Sequence, residues 1–399
     1  MDVINRDLIV GAVGGAVDSS VVDSGILSLL ATPVTTSGPS EALRNRVMEA
    51  MRKQVLASAT AHVAANEATP VVAAKVVEDK PITLQPNQVL FSILTKTKLK
   101  APLHDFAVST LDISSIPAEV RAFIPTVNKA YQVQVSEAHA ILMAWEMNEK
   151  VLITGPTGSG KSSLIEYCCA LTNRPMLRIN MSGDVESSVL FGQLVVQDGA
   201  TVWKDGPVTE AVKHGAVVLL DEWDVTPPEI LFSLQWLFEE NGKLFLKEMP
   251  GTSDDKFVVP HDSFRLVCAG NTVGQGDDTG RYSGTNVQNN ASIDRFQTTI
   301  VLNYLEPKHE VDVIQASCKG IKKELAQKMV SFGNLVRNAC NQGNINLTMS
   351  PRTLINWSKK TLVYNDVGRS LNLAFANKLR ETDRKIVAEL YQKVFGETL

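Results

Sequence analysis

The chain has 399 residues, 44% of them hydrophobic and 21% charged, with a net charge of −4 and a pI near 5.9. That length leaves room for two or three domains with a substantial core. The mild acidity excludes a global pull toward nucleic acid or an acidic membrane surface, though not a local basic patch.

In chain order, residues 1–40 are rich in Gly, Ser, Val and Thr, with a break at Thr32-Pro-Val-Thr-Thr-Ser-Gly-Pro39. The longest apolar run here, Leu8 to Val17, has ten residues and follows Asp7. It is too short to cross a bilayer and lacks the basic leader and small-residue cleavage site of a signal peptide. Five cysteines (168, 169, 268, 318 and 340) form no C-x-x-C pair, so reduced thiols in a cytosol-like compartment are expected. The protein is therefore read as cytoplasmic, with no membrane segment. Ser40 is a sensible N-cap for a helix running to about Ala65, with Leu43, Val47, Met51 and Leu56 at helical spacing. Pro70, Pro81 and Pro86 among scattered valines read as a linker. The expected divisions are a helical, partly disordered region over 1–66 and a linker with a small partner-binding region over 67–115. Nothing before residue 110 carries recognisable chemistry.

From Ile116 the pattern becomes denser. Val133 to Glu149 reads as a helix with Ala138, Ile141, Leu142 and Trp145 on one face. Val151-Leu152-Ile153 reads as a buried strand. Pro175 to Asn180, Ala216 to Leu220, Phe264 to Ala269 and Thr298 to Tyr304 read as four more. Strands separated by helices predict an α/β fold: a parallel five-stranded sheet with helices on both faces, over residues 116–305. Gly192 to Trp203 alternates around Asp198-Gly199, a hairpin signal. From about 306 to 399 only helical patterns remain, which predicts a helical lid.

The chemistry centres on G-x-x-x-x-G-K-S, residues Gly155, Pro156, Thr157, Gly158, Ser159, Gly160, Lys161 and Ser162, with Ser163 following. It lies between a strand and a helix, the context a phosphate loop requires. The glycines let backbone N–H groups face phosphate oxygens, and the helix adds its positive end. Lys161 is expected on the β- and γ-phosphates of ATP and the Ser162 hydroxyl on Mg²⁺. About 60 residues on, Val217-Val-Leu-Leu-Asp221-Glu222 delivers two carboxylates to the C-terminal sheet edge. Asp221 is expected to hold Mg²⁺, and Glu222 to polarise the attacking water. Asn271, ending Cys268-Ala-Gly-Asn271, can orient that water or serve as a turn residue. Arg295 (in Ser292-Ile-Asp-Arg-Phe296) and Arg352 (in Ser350-Pro-Arg-Thr-Leu354) can neutralise transferring phosphate or sit as surface and capping residues.

The ordered set GPTGSGKS, LLDEWD, CAGN, IDRF and SPRT resembles the AAA+ ATPases. Within them it looks like the MoxR branch, and most of all the small AAA+ subunits of aerobic cobaltochelatases. The similarity is strongest over Phe264–Thr285 and on to Leu302-Asn-Tyr-Leu305. The loop departs at Pro156-Thr157, where those subunits have Tyr-His, and at Ser159, where they have Thr. The resemblance implies a P-loop AAA+ fold with a β-hairpin insert in helix 2 and a lid; it does not reach residues 1–110, where the pattern itself predicts a mostly helical N-terminal extension. It implies that Asn271 senses γ-phosphate, that Arg295 reaches a neighbouring subunit's site, and that Arg352 is a second sensor. It further implies a homo-oligomeric, hexameric ring that remodels a partner such as a VWA-domain or chelatase-type subunit. The rival expectations are a chelatase motor subunit, a nucleic-acid motor and a nucleotide-gated scaffold. The acidic pI and the lack of a basic–aromatic run argue against nucleic acid.

Overall fold

The computed structural model describes residues 82–128, 130–181, 185–239, 242–277, 280, 282 and 284–399. The expected 1–66 region, including the helix from Ser40 to Ala65, lies outside the described residues. The sheet is built from β3 (Val151–Thr154), β4 (Met176–Asn180), β7 (Val217–Asp221), β10 (Arg265–Gly270) and β11 (Thr298–Val301). The order is β11-β3-β10-β7-β4, with every neighbouring pair parallel. The three inner strands are buried along their whole length, as expected of strands covered on both faces.

Side-chain alternation sorts the strands onto two cores. Leu152, Val218, Leu220, Leu266 and Cys268 face one cluster, together with Val208, Ala211 and Val212 of α6 (Pro207–His214) and Leu231 and Leu234 of α7 (Pro228–Leu234). Val151, Ile153, Val217, Leu219, Val267 and Ala269 face the other. There they meet Ile141, Leu142 and Trp145 of α3 (Val135–Glu146) and Leu164, Ile165 and Cys168 of α4 (Lys161–Leu171). Each of the two expected helix layers is present.

Within 67–115, expected as a linker with a small partner-binding region, the described residues from Gln88 onward are packed structure. β1 (Gln88–Leu90), α1 (Phe91–Thr95) and β2 (Ala107–Ser109) form a small antiparallel unit. Phe91 and Val108 belong to the same cluster as Trp145 and Val151, and Phe106 stacks on Phe91 with ring centroids 5.5 Å apart. Packing is thus continuous across the expected boundary at 115–116. The physical reason is a few well-spaced large apolar groups in a proline-rich text.

The hairpin expectation holds. β5 (Gly192–Gln197) and β6 (Ala200–Asp205) pair in register across Asp198-Gly199, both with positive φ, 53° and 79°. That is the geometry a two-residue hairpin turn demands. α5 (Ser187–Phe191) precedes it. β8 (Leu244–Phe245) and β9 (Phe257–Val258) form a second short pair. α2 (Ala118–Arg121) and α8 (Asn290–Ile293) are single turns.

Beyond Leu302 the chain is helical: α9 (Pro307–Ser317), α10 (Lys323–Asn341), α11 (Pro351–Tyr364), α12 (Val367–Ala374) and α13 (Glu381–Phe395). They share a separate core in which Phe332, Trp357 and Tyr391 are buried. Ser350 caps α11 by accepting from the Thr353 N–H at 3.2 Å, with Pro351 in the first turn, the preferred chemistry for a helix start. Among the described residues no helix is long and apolar enough to cross a membrane.

Candidate nucleotide site at the C-terminal sheet edge

β3 ends in the glycine loop, and α4 begins at Lys161. Two glycines cannot be replaced without moving backbone. Gly155 has φ 148°, and a Cβ there would sit 2.1 Å from the Leu302 carbonyl oxygen. Gly158 has φ 76°, and its Cβ would sit 2.6 Å from Ser350 Cβ. The loop is therefore pressed against both the end of the sheet and the start of α11.

Lys161 folds back over this loop. Its ammonium donates to the carbonyls of Gly155 (2.7 Å) and Pro156 (3.3 Å) and to Asn271 Oδ1 (3.1 Å). Burial holds its pKa below the ordinary lysine value; the carboxylates of Asp221, Asp224 and Glu222 oppose that shift. No carboxylate pairs directly with it among the described residues. A desolvated cation held only by neutral oxygens is a receptor for an anion.

β7 lies beside β4 and beside β10, the neighbour of β3, which brings its terminal carboxylates to the same edge. Asp221 Oδ2 accepts from Ser162 Oγ at 3.0 Å and pairs with Arg178 of β4 at 2.5 Å. A hydroxyl and a carboxylate oxygen side by side are a donor set suited to a hard cation such as Mg²⁺. Glu222 turns out of the strand with φ 59° and is exposed, its N–H donating to Asp221 Oδ1. A left-handed backbone at a non-glycine residue is strain of the kind that collects at functional positions.

The structure thus brings together Lys161, Ser162, Asp221, Glu222 and Asn271. Ser159 is buried. Arg352 is the second residue of α11, exposed, and next to the Ser350 that touches Gly158. Arg295 is directed elsewhere. It donates to the Ala291 carbonyl at 3.1 Å and lies 3.6 Å from Glu239; a flipped Gln235 amide would also accept from it.

Three further side chains, which no motif singles out by itself, meet these residues. Arg178 pairs with Asp221 as above. Asp224 is fully buried and accepts from the backbone of Asn271. Tyr304 donates its hydroxyl to the Thr157 carbonyl at 3.0 Å, and its ring lies 4.1 Å from the Arg337 guanidinium carbon. The only sequence signal for the last two was membership of the strings LLDEWD and LNYL.

Two family models match the chain. A family described as AAA domain (dynein-related subfamily) matches residues 150–296, and one described as CbbQ/NirQ/NorQ C-terminal matches 310–394. Aerobic cobaltochelatase subunit CobS of Sinorhizobium sp is 34% identical over 310 residues, covering 74% of this chain and 92% of that protein. Midasin of Dictyostelium discoideum is 28% identical over 244 residues, 59% of this chain but 4% of midasin. Among solved structures, the Thermotoga maritima RuvB Holliday junction branch migration motor is 15% identical, covers 70% of each chain and has a TM-score of 0.35.

Proposed function

As the chain belongs to the MoxR branch of AAA+ ATPases, alongside the cobaltochelatase subunit CobS, we propose that it binds and hydrolyses ATP to remodel a partner protein. The observation that carries this reading is the convergence of Lys161, Asn271, Ser162 and Asp221 on one sheet edge. Lys161 and the loop N–H groups bind the phosphates; Asn271 orients the attacking water; Glu222 takes its proton. Mg²⁺, held by Ser162 and Asp221, would neutralise charge on the phosphates. Arg352 acts from the lid, and Arg295 completes the site of the next subunit in a homo-oligomeric ring, here taken as a hexamer. Residues 116–305 form the nucleotide-binding part and 306–399 the lid.

A more specific reading is that the chain is the motor subunit of a metal chelatase acting with a separate subunit. The favouring observation is that the similarity to CobS spans 92% of that protein.

Phosphate release with Mg²⁺ and ATP tests the reading. Glu222→Gln should bind ATP normally and lose roughly 10²–10⁴-fold in turnover, since an amide cannot accept the water's proton. Glu222→Gln turnover equal to that of the unsubstituted chain would remove the catalytic assignment.

A further inference from the structure

The carboxylate of Asp224 has no exposure, although it lies only two residues after the exposed Glu222. Its Oδ2 accepts three hydrogen bonds from the end of β10: Asn271 N–H at 2.9 Å, Thr272 N–H at 2.8 Å and Thr272 Oγ1 at 3.0 Å. Gly270 makes the approach possible, because a Cβ there would lie 2.8 Å from Asp224 Oδ1 and 2.8 Å from the Trp223 indole nitrogen. The same turn grips the chain further on. Asn286 N–H donates to the Asp224 carbonyl at 2.7 Å, Asn286 Nδ2 to the Val225 carbonyl at 2.7 Å and Gln288 Nε2 to the Thr226 carbonyl at 2.9 Å.

A buried ionised carboxylate is costly unless its charge is hydrogen-bonded. Here the compensation comes from the two backbone amides and one hydroxyl that fix Asn271 and its successor. The Asn271 amide oxygen, in turn, accepts from Lys161. A single side chain therefore links the turn that presents Glu222 to the residue facing the phosphate loop.

We propose that Asp224 is a positioning residue for turnover, holding Asn271 in line with Lys161 and Glu222 within its own subunit. The inference rests on the ATPase reading above. It assigns no contact with nucleotide, so it separates turnover from affinity. Asp224→Asn keeps an oxygen that accepts, but without charge, and puts an NH₂ group in the crowded space beside Gly270. Asn271 then loses its fixed backbone and holds Lys161 less firmly, while the two carbonyls that also hold Lys161, of Gly155 and Pro156, and the loop amides stay in place.

The test is a double-substitution cycle on the full chain, with steady-state ATP turnover and binding of a fluorescent ATP analogue. Asp224→Asn and Asn271→Ala should each lower kcat by roughly 10²-fold, the scale of a small misplacement of a catalytic group, with analogue affinity within about threefold. The double variant should be no slower than the slower single variant, because both remove one device. Wild-type kcat in Asp224→Asn, multiplicative losses in the double variant, or a fall in affinity matching the fall in kcat would overturn the proposal. Thr272→Val removes one donor and keeps the side-chain shape. It should lower kcat several-fold at unchanged affinity; wild-type turnover would again overturn the proposal, even if Asp224→Asn failed to fold. Failure of the ATPase reading itself is read separately, as equal turnover by wild type and Glu222→Gln, and would remove both.

Discussion

Lys161 and Arg337 are both buried cations, and they are held in opposite ways. Lys161 rests on two carbonyls and an amide oxygen. Arg337, in the helical core, forms a two-pronged pair with Glu310 at 2.8 Å on each prong. It also donates to the Met349 carbonyl at 2.7 Å and to Asn334 Oδ1 at 2.9 Å. The Arg337–Glu310 pair is internally neutral and therefore structural. Positive charge left over at Lys161 suits the proposed role, a binding device whose partner arrives from outside. Arg295 stands between them: 28% exposed and 3.6 Å from Glu239, it has a weak partner it can exchange.

The largest effect should come from Arg295. Arg295→Ala should bind ATP but lose roughly 10³–10⁵-fold in turnover if the guanidinium stabilises the transferring phosphoryl group. Loss of the Glu239 contact alone is worth at most about 1 kcal/mol. Mixing Arg295→Ala chains with Lys161→Ala chains decides where the arginine acts. A site with an intact loop from the first chain and an intact arginine from the second is complete, so up to about a quarter of sites should recover in randomly mixed rings. Mixed rings that recover nothing would place Arg295 in its own subunit's site or outside catalysis.

Breaking the internally neutral pair comes next. Glu310→Ala leaves Arg337 as a buried, unpaired charge and should destabilise the fold by about 3–5 kcal/mol. Denaturant midpoints measure it, and a loss under about 1 kcal/mol would mean that Arg337 escapes to solvent.

Lys161→Met should behave in the contrary way. Without nucleotide it removes a desolvated charge and fills similar volume, so stability at pH 7 should hold or rise. ATP affinity should fall roughly 10–100-fold, the worth of lost charge-assisted bonds. The pH dependence has a definite sign. The folded-state pKa of Lys161 lies below the ordinary value, so the unfolded chain binds more protons in the window between the lowered value and about 10.4. Below that window the cost of the buried charge is present in full; through it, wild type gains stability relative to Lys161→Met. A gap between the two that widens in favour of Lys161→Met as pH rises would contradict the assignment.

How much of this could be read beforehand follows from contact distance along the chain. The phosphate loop was legible because its chemistry is packed into eight consecutive residues. The hairpin turn was legible because Asp198-Gly199 tolerates positive φ. Asp221 and Glu222 were legible because they end an apolar strand about 60 residues after the phosphate loop, at the sheet edge where open α/β folds bind ligands. Asp224 was not, since its partner Asn271 is 47 residues away and an acid near a strand end is ordinarily solvated. The packing of Phe91, Phe106 and Val108 was hidden because three large apolar groups among prolines carry no periodicity. The place of Arg295 in an assembly is a property of two chains, so one chain's residues imply it only by resemblance.

The smallest effect lies where the two cation environments meet. Tyr304 donates to the Thr157 carbonyl of the phosphate loop, 147 residues earlier, and lays its ring against Arg337. Burial raises its pKa above the ordinary tyrosine value, so the hydroxyl keeps its proton and remains a donor at neutral pH. Tyr304→Phe removes only the hydroxyl, and with it a bond worth about 0.5–1.5 kcal/mol. The ring stays on the guanidinium. The expected result is a change of about two- to tenfold in ATP affinity, because the loop is less firmly tied to the lid, with a small loss of stability. Tyr304→Leu removes the ring as well and should cost about a further 0.5–2 kcal/mol of stability, the range of a cation–π contact. Calorimetric unfolding and nucleotide titration of the two variants separate the contributions. If Tyr304→Phe already produced the whole stability loss of Tyr304→Leu, the ring would be contributing nothing to the join, and the approach of Ser350 to Gly158 would be left to tie the lid to the loop among the described residues.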